Sequence, residues 1–260
     1  MKVVLDGERG AFVGAHFGWR ATFIGVAGLS AAALAVLAMR LPREIRTGVT
    51  ASLKERLAVV AIPGVLPTLL TTTVWAMGAY TVYTYVSPFL AYAAGLSPER
   101  AGLVLTLLGI SAIGGVSLGG HASDRFGMRR VQTIALPVSA AAFAGLSLAA
   151  GIWAPHALAA ILPLVALWGL SAWGFFPPQQ ARLVGISGIA HAPIALSLNA
   201  SFMYVGFSLG AATGSIVIAA SSVVFIGAAG AASMLGAMLL SRFAWAAHER
   251  HASSTQRNLP

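Results

Sequence analysis

The stretch GGHASDRFGMRRV, residues 119–131, holds the only formal charges between Ala101 and Ala181: Asp124, Arg125, Arg129 and Arg130. Its chemistry is electrostatic. Asp124 can accept from backbone N–H groups at a helix N-terminus or pair with an arginine. The arginines can hold a turn at lipid headgroups. Gly120 and Gly127 allow a tight turn and a close helix approach. A second set of residues is uncharged: Tyr80, Thr84, Trp173, Gln179, Asn199 and Tyr204. Each is a polar or aromatic group inside or at the end of an apolar run. Such groups either bind a solute by hydrogen bonding and stacking or tie one helix to another. Tyr80 and Thr84 share a helical face with Thr73 and Ser87, being spaced by seven, four and three.

Other chemistries find no residues to carry them. There is no cysteine, so disulfides and thiolate metal sites are absent. The six histidines form no HxxxH or HExxH pair, and no Walker loop occurs. No cofactor and no enzymatic activity are expected. The net charge of +9 is spread over short loops rather than along one face, which argues against nucleic acid as a partner.

The elements that position these residues follow from composition. Only 9% of residues are charged, 58% are hydrophobic, and mean hydropathy is +0.83. A soluble domain has about 25% charged residues, so the partner of this surface is the lipid bilayer. Continuous apolar runs near 20–40, 66–94, 100–120, 131–153, 157–178, 193–220 and 223–243 predict about seven transmembrane helices. The fold class is an all-α polytopic membrane protein. Basic residues crowd the loops after the first, third, fifth and seventh spans, which places those loops and the C-terminus in the cytoplasm. The apolar run beginning at Ala21 is too long for a signal peptide and reads as a retained span. Residues 41–65 form a basic linker in which Ser52 and Glu55 predict a capping box opening a short helix. The paired prolines Pro177 and Pro178 mark either a gating bend or the end of the fifth span. Gly206-x-x-x-Gly210-x-x-x-Gly214 predicts close packing of two helices, and Gly109, Gly114, Gly115 and Gly119 read the same way.

The spacing G-x-x-x-D-R-x-G-x-R-R, from Gly120 to Arg130, resembles the cytoplasmic loop motif of the major facilitator superfamily. There it joins the second and third helices of a six-helix half, as it does here within residues 66–243. FGWRATF (Phe17–Phe23) is similar to the turn into the sixth helix of the drug and sugar efflux branch. YTYVSPFLAYAAGLSPERAGLVLTLLGISAIGG resembles its seventh and eighth helices. LWGLSAWGFFPPQQARLV and ALSLNASFMYVGFSLGAATGS resemble its tenth and eleventh. The resemblance covers residues 11–245 or so.

The resemblance implies an organisation. Residues 1–19 would be a terminal segment with a remnant of the fifth family helix. Residues 20–40 would be a lone span matching the sixth, followed by the linker 41–65. Residues 66–243 would be a six-helix C-terminal half and 244–260 a cytoplasmic tail. The first five family helices are expected to be missing. It also implies function: an inner-membrane transporter working by alternating access, effluxing drugs, sugars or similar small molecules, with protons as the coupling partner. The loop containing Gly120, Asp124, Arg125, Gly127, Arg129 and Arg130 would belong to the cytoplasmic gate. Tyr80, Thr84, Trp173, Gln179, Asn199 and Tyr204 would line the substrate cavity. On charge alone the loop is equally a topology anchor, and Asn199 equally an interhelical hydrogen bond. All seven acidic residues lie outside the middle of the apolar runs, so the chain offers no proton carrier of its own. A non-transporting membrane fragment, or a half-transporter needing a first-half partner, is the alternative.

Overall fold

The structure is a computed structural model that describes residues 24, 27–28, 30–39 and 52–257, with side-chain placement through Ala246. Residues up to Ala51 and residues from Ser52 form two separate compact units. In the first, Ser30–Met39 is a short apolar helix, α1. It belongs to the expected lone span; the expectations for residues 1–19 and 41–51 lie outside the described residues. All regular structure in the described residues is helical.

The second unit starts with α2, Leu53–Ala61. The predicted capping box forms: the Ser52 hydroxyl accepts from the Glu55 N–H at 3.3 Å, and the Ser52 N–H donates to Glu55 Oε2 at 2.7 Å. Two orphan donors of the first turn are thereby satisfied. Six segments then follow that are long and apolar enough to cross a membrane. They match the six spans expected within 66–243.

The first of these is α3, Val65–Tyr83, continued after Tyr85 by α4, Val86–Ala94. The break explains why the apolar window there is so long. The second is α5, Pro98–Phe126, which opens with a proline in its first turn, where the missing N–H costs nothing. Gly127 (φ +87°) then turns the chain straight into α6, Met128–Trp153. The fourth comprises α7, Leu158–Gly174, and α8, Phe176–Ser187.

Here the structure corrects the sequence. The expected span ended near residue 178, with the prolines as either a bend or its end. Instead the span runs from Leu158 to Ser187. Pro177 and Pro178 fall in the first turn of α8, so they interrupt the hydrogen-bond ladder without stopping the helix. The fifth span is α9, Ala192–Ala220, after a 3-10 turn at Ile189–His191. The sixth is α10, Ile226–Arg257, which continues well past residue 243.

Helix α3 is the hub of the unit, packed between α9 and α10. Helix α5 lies on α7, and α6 bridges α7 and α10. Apolar burial alone does not select these pairings in lipid; small residues that let backbones approach do. The glycine ladder of α9 acts as predicted. Gly206 meets the Thr73 carbonyl, a Cβ at Gly210 would stand 2.5 Å from the Met77 carbonyl oxygen, and one at Gly214 would stand 2.5 Å from the Tyr85 ring. On the other side of the unit, Gly115 and Gly119 meet Gly169, Leu170 and Gly174 backbone.

Candidate functional site

The charged loop is a two-helix turn and little else. Gly127 takes a backbone conformation open essentially to glycine alone (φ +87°, ψ 144°). Gly120, by contrast, has open space where a side chain would be. The close helix approach expected of it is made by Gly119 and Gly115, because one residue rotates about 100° around the helix. Asp124, Arg125, Arg129 and Arg130 are all exposed. Among the described residues the Asp124 carboxylate meets neither of its expected partners, a helix N-terminus or an arginine. Arg125 leans over Phe126 at 5.4 Å, and Arg129 lies 6.0 Å from the Trp245 ring centre.

The six expected cavity residues separate into distinct settings. Tyr80 and Tyr204 are brought together by a residue that the sequence did not single out. Phe207 stacks on Tyr80 with ring centres 3.6 Å apart and meets Tyr204 edge-on at 5.6 Å. Tyr204 is 64% exposed, so this aromatic group opens outward from the α3–α9 pair. Thr84 is exposed at the break between α3 and α4. Trp173 belongs to another aromatic group, edge-on to Trp75 and to Phe176. The Trp75 indole N–H donates to the Ala172 carbonyl at 3.1 Å and fixes α3 to the bend of the fourth span.

Gln179 and Asn199 do not line open space. Both are buried, at 0% and 1% exposure. They belong to a polar relay across five helices. The Thr72 hydroxyl donates to Asn199 Oδ1 at 2.7 Å, and Gln179 Nε2 donates to the Thr72 hydroxyl and to the Thr68 carbonyl. Gln132 Nε2 donates to Gln179 Oε1 at 2.7 Å, and the Trp245 indole N–H donates to Gln132 Oε1 at 3.0 Å. The physical reason is that the helix does not stop at Pro177 and Pro178. Instead α8 runs on inside the bundle, so Gln179 points into the packed interior rather than at a mouth. Of the two readings left open for Asn199, the structure shows the interhelical bond.

The relay members Thr72, Gln132 and Trp245 were not recognised from the sequence. The available signal was the rule that an amide or hydroxyl in a membrane helix needs a partner. It identifies Gln132 as a member of such a set but not its partner.

A further pattern emerges on the outside. The spans containing α5 and α9 are the least covered of the six, with 28% and 17% of their most apolar stretch buried. Both expose hydroxyls along one face. On α9 these are Ser197, Ser201, Tyr204 and Ser208; on α5 they are Thr106 and Ser117, followed by His121. The hydroxyls of Thr106, Ser117, Ser201 and Ser208 each bond back to the carbonyl four residues earlier, which leaves lone pairs free. A face turned to lipid gains nothing from such a stripe; a face turned to a water-filled pathway or to further helices does.

Comparison with known proteins agrees with this architecture. The family model described as Major Facilitator Superfamily matches residues 10–211. The inner membrane transport protein YdhP of Escherichia coli is 31% identical over 209 residues, covering 80% of this chain and 52% of that protein. The uncharacterized MFS-type transporter YbcL of Bacillus subtilis is 27% identical over 234 residues, covering 89% of this chain and 58% of that protein. A probable sugar efflux transporter of Mannheimia succiniciproducens is 29% identical, covering 94% of this chain and 59% of that protein. The chain spans about half the length of the curated relatives it matches. A match over more than three-quarters of its residues, joined to six membrane-crossing helices turned at a DRFGMRR loop, places the chain in the major facilitator superfamily.

Proposed function

We propose that this chain is the C-terminal half of an inner-membrane efflux transporter, working by alternating access on sugars, drugs or similar small molecules together with a first-half partner. Its exposed α5 and α9 faces, with the aromatic group of Tyr80, Tyr204 and Phe207, form one wall of the solute pathway. The single observation that supports this is the hydroxyl stripe on the two least-covered spans. The inner-membrane location and the solute class take their support from relatives named as an inner membrane transport protein and a probable sugar efflux transporter. In this reading the loop from Gly120 to Arg130 works as a cytoplasmic gate element, and the C-terminus faces the cytoplasm. Proton coupling, where it operates, draws its carrier from the first half, since all seven acidic residues here lie outside mid-span.

Proteoliposomes test the proposal. The chain is reconstituted alone and with a co-expressed first half, that of the Escherichia coli relative being the natural choice, and solute flux is followed under an imposed proton gradient. Flux is expected only from the co-assembled halves. Gradient-driven flux from this chain alone would refute the need for a partner. A co-purifying complex that moves no solute would favour the non-transporting fragment, a reading that the burial of Gln179 and Asn199 also supports.

A further inference from the structure

Arg182 is the one charged residue among the described residues that is buried, at 2% exposure. Its Nε, Nη1 and Nη2 atoms are all shut off from solvent, and none has a hydrogen-bond partner among the described residues. The indole of Trp245 covers it, with the guanidinium carbon 4.2 Å from the ring centre. A second guanidinium, that of Arg129, lies 6.0 Å from the same ring. Two cations therefore converge on one indole, at the end of the bundle where the Gly127 turn joins α5 to α6.

A guanidinium carries five N–H donors and no acceptor. Stacking on an indole compensates its charge but satisfies none of those donors. Buried without an anion, such a group is strongly unfavourable; with a bidentate oxyanion on its edge it becomes one of the strongest polar contacts a protein makes. Among the described residues the neighbouring side chains do not supply the anion. Gln132, Gln179, Ser241 and Trp245 are uncharged and engaged with one another, and Gln132 Oε1 already receives the Trp245 and Ser241 donors.

We infer that Arg182, covered by Trp245 and flanked by Arg129, is a binding site for a phosphate-type oxyanion. Two donors fork onto the oxyanion from Arg182, and Arg129 adds charge. Trp245 acts as the cover: one hydrogen bond, to Gln132 Oε1 at 3.0 Å, holds it in place, and swinging aside opens the guanidinium edge. The oxyanion has two sources, a free inorganic anion or the headgroup phosphate of an anionic phospholipid, which cytoplasmic leaflets supply.

Thermal unfolding of the full chain in nanodiscs decides the matter, because a ligand that binds only the folded state raises the midpoint. The starting point is phosphatidylcholine discs in phosphate-free buffer. One arm titrates inorganic phosphate; the other replaces part of the lipid with phosphatidylglycerol. The midpoint of the wild-type chain should rise in at least one arm. A rise with inorganic phosphate identifies a free anion as sufficient; a rise with phosphatidylglycerol alone identifies a lipid headgroup. Arg182→Gln should weaken the response at least about tenfold in ligand concentration, and Arg182→Lys, which keeps the charge but loses the fork, should fall between. No rise in either arm overturns the site. So does a rise of equal size in the Arg182→Gln chain. The wild-type titration alone decides if the variants do not fold.

Discussion

Thr72 is the residue on which the interior relay turns, since its hydroxyl donates to Asn199 and accepts from Gln179. Thr72→Val keeps the volume and removes both bonds. We expect it to lower stability by about 1 kcal/mol, the scale of interhelical hydrogen bonds in lipid. The loss should be visible as a lower unfolding midpoint in detergent, with membrane insertion unchanged. A midpoint equal to the wild type would mean the relay adds nothing beyond packing. Asp124 makes a different claim. Exposed, it makes no contact among the described residues that the fold of this half would lose. If it is a gate latch, Asp124→Asn should leave the unfolding midpoint unchanged and cut flux when the chain is paired with a first half. Undiminished flux would reduce the loop to a topology anchor. Residue identities in the sequence located both groups, but not their roles. Asn199 read equally well as cavity or glue and Gln179 read as cavity, because burial depends on where α8 runs after Pro177 and Pro178, which a one-dimensional pattern does not show.

Helix contacts were more legible. The Gly206–Gly210–Gly214 spacing predicted a close approach, and α9 does approach α3 backbone to backbone at those positions. Gly210→Ala should therefore cost about 1–3 kcal/mol, as overpacking does. Gly102→Ala, on the open face of α5 with nothing within 4 Å, should be neutral or gain up to about 1 kcal/mol from helix propensity. Paired unfolding curves of the two variants check this, and equal midpoints would contradict the packing. The same spacing logic failed for Gly120, where the neighbouring Gly119 makes the contact; a run of two glycines leaves the facing side undetermined by one position. At Pro177 and Pro178 the sequence left a bend and a helix end open, and the structure rules out the end. Prolines at the start of a new helix and prolines at the end of an old one look alike in sequence, and only the course of α8 distinguishes them.

At the scale of the whole molecule, composition and continuous apolar runs sufficed for an all-α membrane fold, and the six spans within residues 66–243 are all present, the fourth running on to Ser187, because a minimum span length is imposed by the bilayer. The outward hydroxyl stripes were harder to read, since serine and threonine recur throughout membrane helices and only the fold tells which are uncovered. Those stripes carry the proposed function, and the absence of cysteine makes them directly testable. Single cysteines at Tyr204, on the α9 stripe, and at Leu148, 60% exposed on α6, should be probed with a membrane-impermeant thiol reagent in the chain co-assembled with a first half. The account predicts that Tyr204→Cys reacts and is slowed by transported solute, while Leu148→Cys stays unreactive in lipid. Equal reactivity at the two positions, or none at Tyr204→Cys, would contradict the claim that this half lines a solute pathway.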